Sequence, residues 1–319
     1  MVDSLEPPAH GREPDYLNPR ADLWCIDITD ESRMRDSVRG IDAVCHQAAR
    51  VGLGVDLTDA PAYVRTNDLG TSVLLAALWK VGFGGRFLLA SSMVVYGEGG
   101  YSCRAHGRVR PGPRSRADLQ EGRFDPCCPT CGAVLDPIPV DEGARLDPRS
   151  VYAATKVHQE HLCEAYAREA GASLSILRYH NVYGPRMPRD TPYAGVVSIF
   201  RSALESGRAP EVFEDGRQLR DFVHVHDVVR ANIACLESEK PIGGAVNIAS
   251  GEPHTIADLA SGLTAAFGDP VSPEPSGSYR LGDVRHVFAS PRRAANVIGF
   301  HAEIPFEVGM KELATAPLR

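Results

Sequence analysis

Short apolar runs, each followed by a helical stretch, set the strongest limit on how this chain can fold. The runs lie at 23–28, 42–46, 86–91, 173–179 and 245–249, and Val2 and Asp3 read as the end of a further strand. Between them the pattern predicts helices over 31–38, 60–81, 151–170 and 227–237. Pro61 stands in the first turn of the 60–81 helix and Gly82 at its end, the usual asymmetry of helix punctuation. Such alternation of strand and helix is the signature of a parallel, doubly wound α/β sheet. In sheets of this kind ligands lie beyond the carboxyl ends of the strands. Asp3, Asp27, His46, Ser92 and Asn181 all fall at or just past predicted strand ends.

The stretch from Ser150 to Glu160 gives that sheet its chemistry. Tyr152 and Lys156 are four residues apart, so a helix puts them on one face. Ala154, Val157, Leu162, Ala165 and Tyr166 recur behind them at roughly helical spacing. Ser150 is the expected N-cap and Gly171 the expected stop. An ammonium beside a phenol favours the phenolate, so Lys156 is expected to pull the Tyr152 pKa down from about 10. A tyrosine so tuned can serve as general base or acid near neutral pH.

Composition excludes several classes. The 319 residues suit one large or two modest domains, and 43% hydrophobic residues supply a core. No apolar run reaches the length of a membrane span, and no secretory leader opens the sequence, so no membrane partner is expected. A net charge of −7 without a basic block argues against nucleic acid. Of the eight cysteines, Cys25, Cys45, Cys163 and Cys235 sit singly in apolar segments and read as buried thiols, while Cys103, Cys127, Cys128 and Cys131 cluster. That pattern points to the reducing cytoplasm and a metal site rather than disulfides.

Past residue 181 Pro, Gly and Arg rise, as in the run 184–189. The expected elements there are a helix at 196–206, a strand around 212–213 and a helix at 255–267 with Thr255 as cap. The chain is thus read as residues 1–180 forming the sheet domain and 181–319 mainly a smaller mixed α/β domain over it. His224 and His226 read as structural.

Five motifs occur in one order: Ser-Ser-x-x-Val-Tyr-Gly from Ser91, Tyr-x-x-x-Lys from Tyr152, Arg-Tyr-x-Asn-Val-Tyr-Gly-Pro from Arg178, Arg-Asp-Phe-Val-His-Val from Arg220 and Arg-x-Gly-Asp-Val-Arg from Arg280. Together they resemble the extended short-chain dehydrogenase/reductases, and within them the NAD-dependent nucleotide-sugar epimerases and dehydratases. The resemblance covers nearly the whole chain. It implies a Rossmann-like fold, a homodimer built on the helices 60–81 and 151–170, and a nucleotide-sugar substrate. By the same resemblance Tyr152 is the catalytic base, Lys156 binds the nicotinamide ribose, and Ser92 bonds the sugar hydroxyl that is oxidised. Asp3 would hold the adenosine ribose, Asp27 and Ile28 would flank the adenine, and Ala48, Ala49 and Asn67 would line the NAD. Asn181 would bind the sugar or its phosphates, Phe213 would pack near the base, Arg220 and Arg280 would clamp the diphosphate, and Asp283 would touch the nucleoside ribose. Where 4,6-dehydratases carry Asp-Glu after the hydroxyl residue, this chain has Met93 and Val94, which cannot move protons. The expected reaction is therefore 4-epimerisation, or simple 4-keto reduction, rather than dehydration.

Two features depart from that pattern. No Gly-x-x-Gly-x-x-Gly turn is present, the first glycine is Gly11, and about 35 residues of a βαβ unit are expected to be missing before Met1. Either the start lies upstream or the chain is a remnant that binds nucleotide sugar without catalysis. The polypeptide as written is expected to hold NAD poorly. The second departure is an insertion at about 98–141 carrying Cys103-x-x-His106 and Cys128-x-x-Cys131, with Cys127 as a substitute for Cys128. Four such ligands suit a closed structural Zn²⁺ site. This insertion, and the run Arg178–Pro185 followed by Pro192-Tyr193-Ala194-Gly195, resemble dTDP-L-rhamnose 4-epimerase-like proteins, which implies a dTDP-6-deoxyhexose.

Overall fold

The computed structural model describes residues 1–6, 10, 14–52, 54, 56–189, 195–238, 240–268 and 273–318. Pro7 and Pro8 of the expected N-terminal loop, and Pro192, Tyr193 and Ala194 of the last motif, lie outside the described residues.

Strands β1 (Val2–Asp3) and β2 (Trp24–Cys25) pair in parallel, the second shorter than its apolar run. Helix α1 (Glu31–Ser37) is capped by Asp30, whose carboxylate accepts from the N–H groups of Ser32 and Arg33. After β3 (Ala43–His46) comes the predicted long helix, made of α2 (Ala60–Tyr63), a π turn at Val64–Leu69 and α3 (Gly70–Lys80). Strand β4 (Arg86–Ser92) then leads into the insertion, with β5 (Gly100–Cys103), β6 (Gly107–Val109), α4 (Arg116–Gln120) and β7 (Asp136–Ile138). The catalytic-type helix α5 (Val151–Ala170) and strand β8 (Ser173–Tyr179) complete the first half. Beyond it lie β9 (Asn181–Tyr183), α6 (Val196–Glu205), β10 (Leu219–His224), α7 (Val225–Glu237) and β11 (Ala245–Ile248). The chain closes with β12 (Pro253–Thr255), α8 (Ile256–Phe267), α9 (Arg292–Ile298) and α10 (Phe306–Thr315).

The main sheet has the order β11-β8-β4-β3 and is parallel throughout. Successive residues of β4 and β8 point to opposite faces, and both faces are dry. Phe87, Leu89 and Ile176 pack with Leu74, Leu78, Cys163 and Tyr166 on one side. Leu88 and Leu177 pack with Val228, Ala231, Ala294 and Phe300 on the other. Each such buried leucine contributes about 2 kcal/mol by leaving water. The sheet is therefore doubly wound, with α3 and α5 above it and α7 and α9 below. Its fourth strand and its lower cover come from beyond residue 180, so the second half divides between the two layers. What remains there packs on a separate core of α6, α8 and α10 against Phe222, below the mixed sheet β12-β10-β9. The expected strand at 212–213 is only a single bridge from Val212 to Pro275.

Among the described residues, β1 and β3 share no hydrogen bonds, and nothing pairs with the outer edge of β3. This openness explains a correction to the cysteines. Cys163 and Cys235 are buried as expected, but Cys25 and Cys45 are exposed, because β2 and β3 lie at these uncovered edges.

Candidate active site

Local sequence fixes the site helix. The Ser150 hydroxyl accepts from Ala153 N at 3.1 Å, and Gly171 ends α5 in the left-handed region (φ 67). Tyr152 and Lys156 then face the carboxyl end of β4, the first strand centre of the sheet. At that end Ser92 leaves the strand, and Tyr152 lies near enough for the Ser92 hydroxyl to act on its pKa. Just beyond, Gly97 (φ 66) makes a turn where a Cβ would overlap the carbonyl of Asp147, so the loop after Ser92 is pressed onto the start of α5.

The electrostatics correct one expectation. Burial pushes the Tyr152 phenol up to about 12, and the Ser92 hydrogen bond only partly offsets this. Lys156 does not lower it. Its ammonium is itself buried, its pKa falls to about 8 through desolvation, and Nζ donates to the Ala90 carbonyl at 2.8 Å. Two of its three N–H donors find no other partner among the described residues. A buried ammonium with donors to spare fits a pair of ribose hydroxyls, so the nicotinamide half of NAD suits this pocket. The phosphate half lacks its glycine turn within these 319 residues.

The other expected cofactor residues lie where the strands end, with different degrees of freedom. Asp3 accepts from Leu5 N at 2.9 Å and lies 3.4 Å from His10. Asp27 is held low by the N–H of Thr29, and it also takes Arg65 at 3.1 Å. Ala48 is exposed and Ala49 half-buried just past β3. The Ile28 side chain belongs to the core, against Gly70, where a Cβ would overlap it. Asn67 sits fully buried in the π turn with its amide fully engaged: it accepts from Arg50 N at 2.7 Å and donates to Arg50 O and Thr155 Oγ1. Its role here is to fix the loop beyond Ala49 and tie that loop to α5.

On the substrate side, Asn181 begins β9 in register with Phe222, and its Oδ1 is buried without a partner among the described residues. Arg280 lies 4.9 Å over the Phe213 ring, so this pair forms one flat wall. Arg220 is engaged by main chain. Its guanidinium donates to the carbonyls of Val284 and Arg285 at 2.7 and 2.9 Å. Asp283 closes a turn to Arg280 and offers its carbonyl to Arg114 at 2.7 Å. His224 caps α7, its Nδ1 accepting from His226 N at 3.3 Å.

Sequence reasoning missed the layer beneath α5. Arg178 and Glu160 form a buried ion pair with contacts at 2.7 and 2.9 Å, and Ser91 donates to the same carboxylate. Arg178 also donates to Tyr96 OH at 3.0 Å, and Tyr96 in turn to Asn247 at 2.7 Å. His46 bonds Thr71 at 2.9 Å and is kept neutral, its pKa near 3, chiefly by burial. The arginine of the Arg178 motif was visible, but its partner, one helix away, was not.

In the insertion the order β6-β5-β7 makes a small antiparallel sheet. It has a core of its own, Tyr101, Cys103, Cys128 and Leu135. The ligand atoms of Cys103, His106, Cys128 and Cys131 all lie within 4.8 Å of one another. Cys103 Sγ is 3.7 Å from Cys131 Sγ, and His106 Nδ1 is 3.5 Å from both Cys103 and Cys128. Zn–S bonds of about 2.3 Å and Zn–N bonds of about 2.0 Å at tetrahedral angles require edges of about 3.8 and 3.5 Å. These three separations are close to those edges. Cys127 is exposed and turned away.

A sequence model described as the NAD dependent epimerase/dehydratase family matches residues 2–115 and 127–249, with its gap inside the insertion. The dTDP-L-rhamnose 4-epimerase of Burkholderia thailandensis is 34% identical over 99% of this chain and 86% of its own length. A putative UDP-glucose 4-epimerase of Methanocaldococcus jannaschii is 28% identical over 93% and 84%. Among solved structures, the Thermus thermophilus UDP-glucose 4-epimerase complex with NAD superposes with a TM-score of 0.76 at 25% identity, covering 99% of this chain and 91% of that one. The Thermotoga maritima UDP-glucose 4-epimerase with UDP-glucose gives 0.75 at 28% identity, over 98% and 88%.

Proposed function

We infer the activity from membership: this chain belongs to the NAD-dependent epimerase/dehydratase family. Within it, we propose that the protein inverts C4 of a nucleotide-diphosphate sugar through a transient 4-keto sugar. The observation that carries this reading is the meeting of Ser92 and Tyr152 at the end of β4, with Lys156 one turn further on and no proton-carrying side chain at 93 or 94. Bound NAD would supply the hydride acceptor and donor. Ser92 would hold the C4 hydroxyl, and Tyr152 would take its proton and later return it. Lys156 would give its two spare N–H donors to the nicotinamide ribose. The buried Tyr63 ring packs beside the phenol, its centroid 6.1 Å from that of Tyr152. Positioning and acid–base help of this kind are what such a site has to offer.

The overall similarity to the Burkholderia enzyme supports a dTDP-6-deoxyhexose, such as dTDP-L-rhamnose, as substrate. Phe213 and Arg280 would hold the base and diphosphate, and Asn181 the sugar. We assign the tetrad Cys103, His106, Cys128 and Cys131 to a structural Zn²⁺. A homodimer across α3 and α5 is supported by Val64 and Leu69, large apolar side chains exposed in the π turn that packs on α5 and leads into α3. The free state of all eight cysteines fits a cytoplasmic location. The test is incubation with a panel of nucleotide sugars and NAD, without NADPH, followed by nuclear magnetic resonance of C4. Appearance of the C4 epimer is expected. Turnover only when NADPH is added would instead mark a 4-ketoreductase, and no turnover with intact nucleotide-sugar binding a binding protein.

A further inference from the structure

The metal knuckle is bolted to the substrate side of the molecule through one buried arginine. Arg285 is fully buried, and its guanidinium donates to Asp125 at 2.8 Å, Glu214 at 2.9 Å and Asp215 at 2.7 and 2.8 Å. Its main-chain N–H donates to the Glu98 carboxylate at 3.0 Å. Glu98 also accepts from Tyr101 OH at 2.8 Å, and Tyr101 OH accepts from His286 N at 3.2 Å. Glu98 and Tyr101 precede Cys103, Glu98 just before β5 and Tyr101 within it. Asp125 precedes Cys128, which opens the second pair. Each half of the metal site therefore grips the 285–286 segment independently.

On the far side of Arg285 stand the groups that face substrate. Glu214 is sandwiched between Phe213 and Asp215 in the left-handed region (φ 55), a conformation that costs a non-glycine residue energy and needs outside support. That support is Arg285 together with Arg114, which lies 2.8 Å from Glu214 and also holds the Asp283 carbonyl. Arg220 donates to the carbonyls of Val284 and Arg285.

We propose that the zinc knuckle positions the nucleotide-binding wall: the metal locks its two ligand pairs together, and through Glu98 and Asp125 they hold Arg285, which holds the Phe213–Asp215 turn and the 280–285 loop. This rests on the nucleotide-sugar reading above, so the test reads both separately. The 319-residue protein is purified, its zinc is measured, and hydrogen exchange and dTDP affinity are compared with Cys131→Ser and Arg285→Lys. About one zinc per chain is expected. Cys131→Ser should lose the metal and lose exchange protection at 212–220 and 280–287, with 86–92 unchanged as the control for folding. Its dTDP affinity should fall on the order of tenfold. Arg285→Lys should keep the zinc yet show the same loosening and weaker binding. Less than about a tenth of an equivalent of zinc in the parent protein would reject the metal. Unchanged protection in either variant overturns the coupling. If the zinc-loaded parent binds no dTDP, the nucleotide-sugar reading fails, and exchange alone decides the coupling.

Discussion

A phenol held at about 12 by burial is a poor base at neutral pH, and this is the condition of Tyr152. The enzyme reading requires binding to bring the phenolate within reach. Tyr152→Phe should lower turnover by about 10²–10⁴-fold, with dTDP affinity kept within a factor of about two. Steady-state kinetics with parallel calorimetry checks this, and equal losses in both would contradict a chemical role. At this scale the sequence was most informative. Tyr152 and Lys156 are set by a four-residue spacing, which a helix carries directly into geometry, whereas Ser92 was read from its own motif. The sign of the Tyr152 shift was not legible. It depends on how much water the fold removes and on where the lysine points, and Ala90 takes that lysine's hydrogen bond.

Elements tell a different story, since their partners come from distant segments. Caps at Ser150, Gly171 and Thr255 were readable because capping is local, and Thr255 forms a full capping box with Asp258. The π turn in the 60–81 helix was not, although it places Asn67 against Arg50 and Thr155. Nor was the Arg178–Glu160 pair, which joins β8 to the underside of α5. Glu160→Gln leaves a buried guanidinium with no counter-charge at hand and should destabilise the protein by about 3–5 kcal/mol. Denaturant unfolding measures this. A loss under about 1 kcal/mol would mean that Tyr96 and the Glu142 carbonyl, which Arg178 also reaches, suffice.

For the molecule as a whole, acid should be destabilising between about pH 6.5 and 4. His46 and His180 are buried and neutral with pKa values near 3, chiefly through desolvation, whereas an unfolded histidine titrates near 6.5. In that window the unfolded chain binds protons that the folded chain refuses, so stability falls as pH falls, by up to about 1.4 kcal/mol per unit for each group. Asp221, raised to about 6 by burial, works the other way for one proton below that value. His46→Gln should make the loss of melting temperature with acid shallower, and an unchanged slope would exclude His46 as a source. Leu69→Glu on the exposed helix face should yield monomers in analytical ultracentrifugation if α3 and α5 form the dimer seam. The doubly wound layout was readable from alternation alone. The sharing of the second half between two layers was not, because β11 and α7 look like any other strand and helix until their partners are known.

The unpaired margins of β1 and β3 carry a practical consequence. A strand whose N–H and C=O groups point into solvent is a template on which another extended peptide can crystallise its own ladder. Among the described residues these margins offer backbone donors and acceptors in addition to the exposed apolar side chains. A short synthetic β-strand offered in excess should therefore bind at these margins, and unchanged amide exchange in β1 and β3 on its addition would count against it.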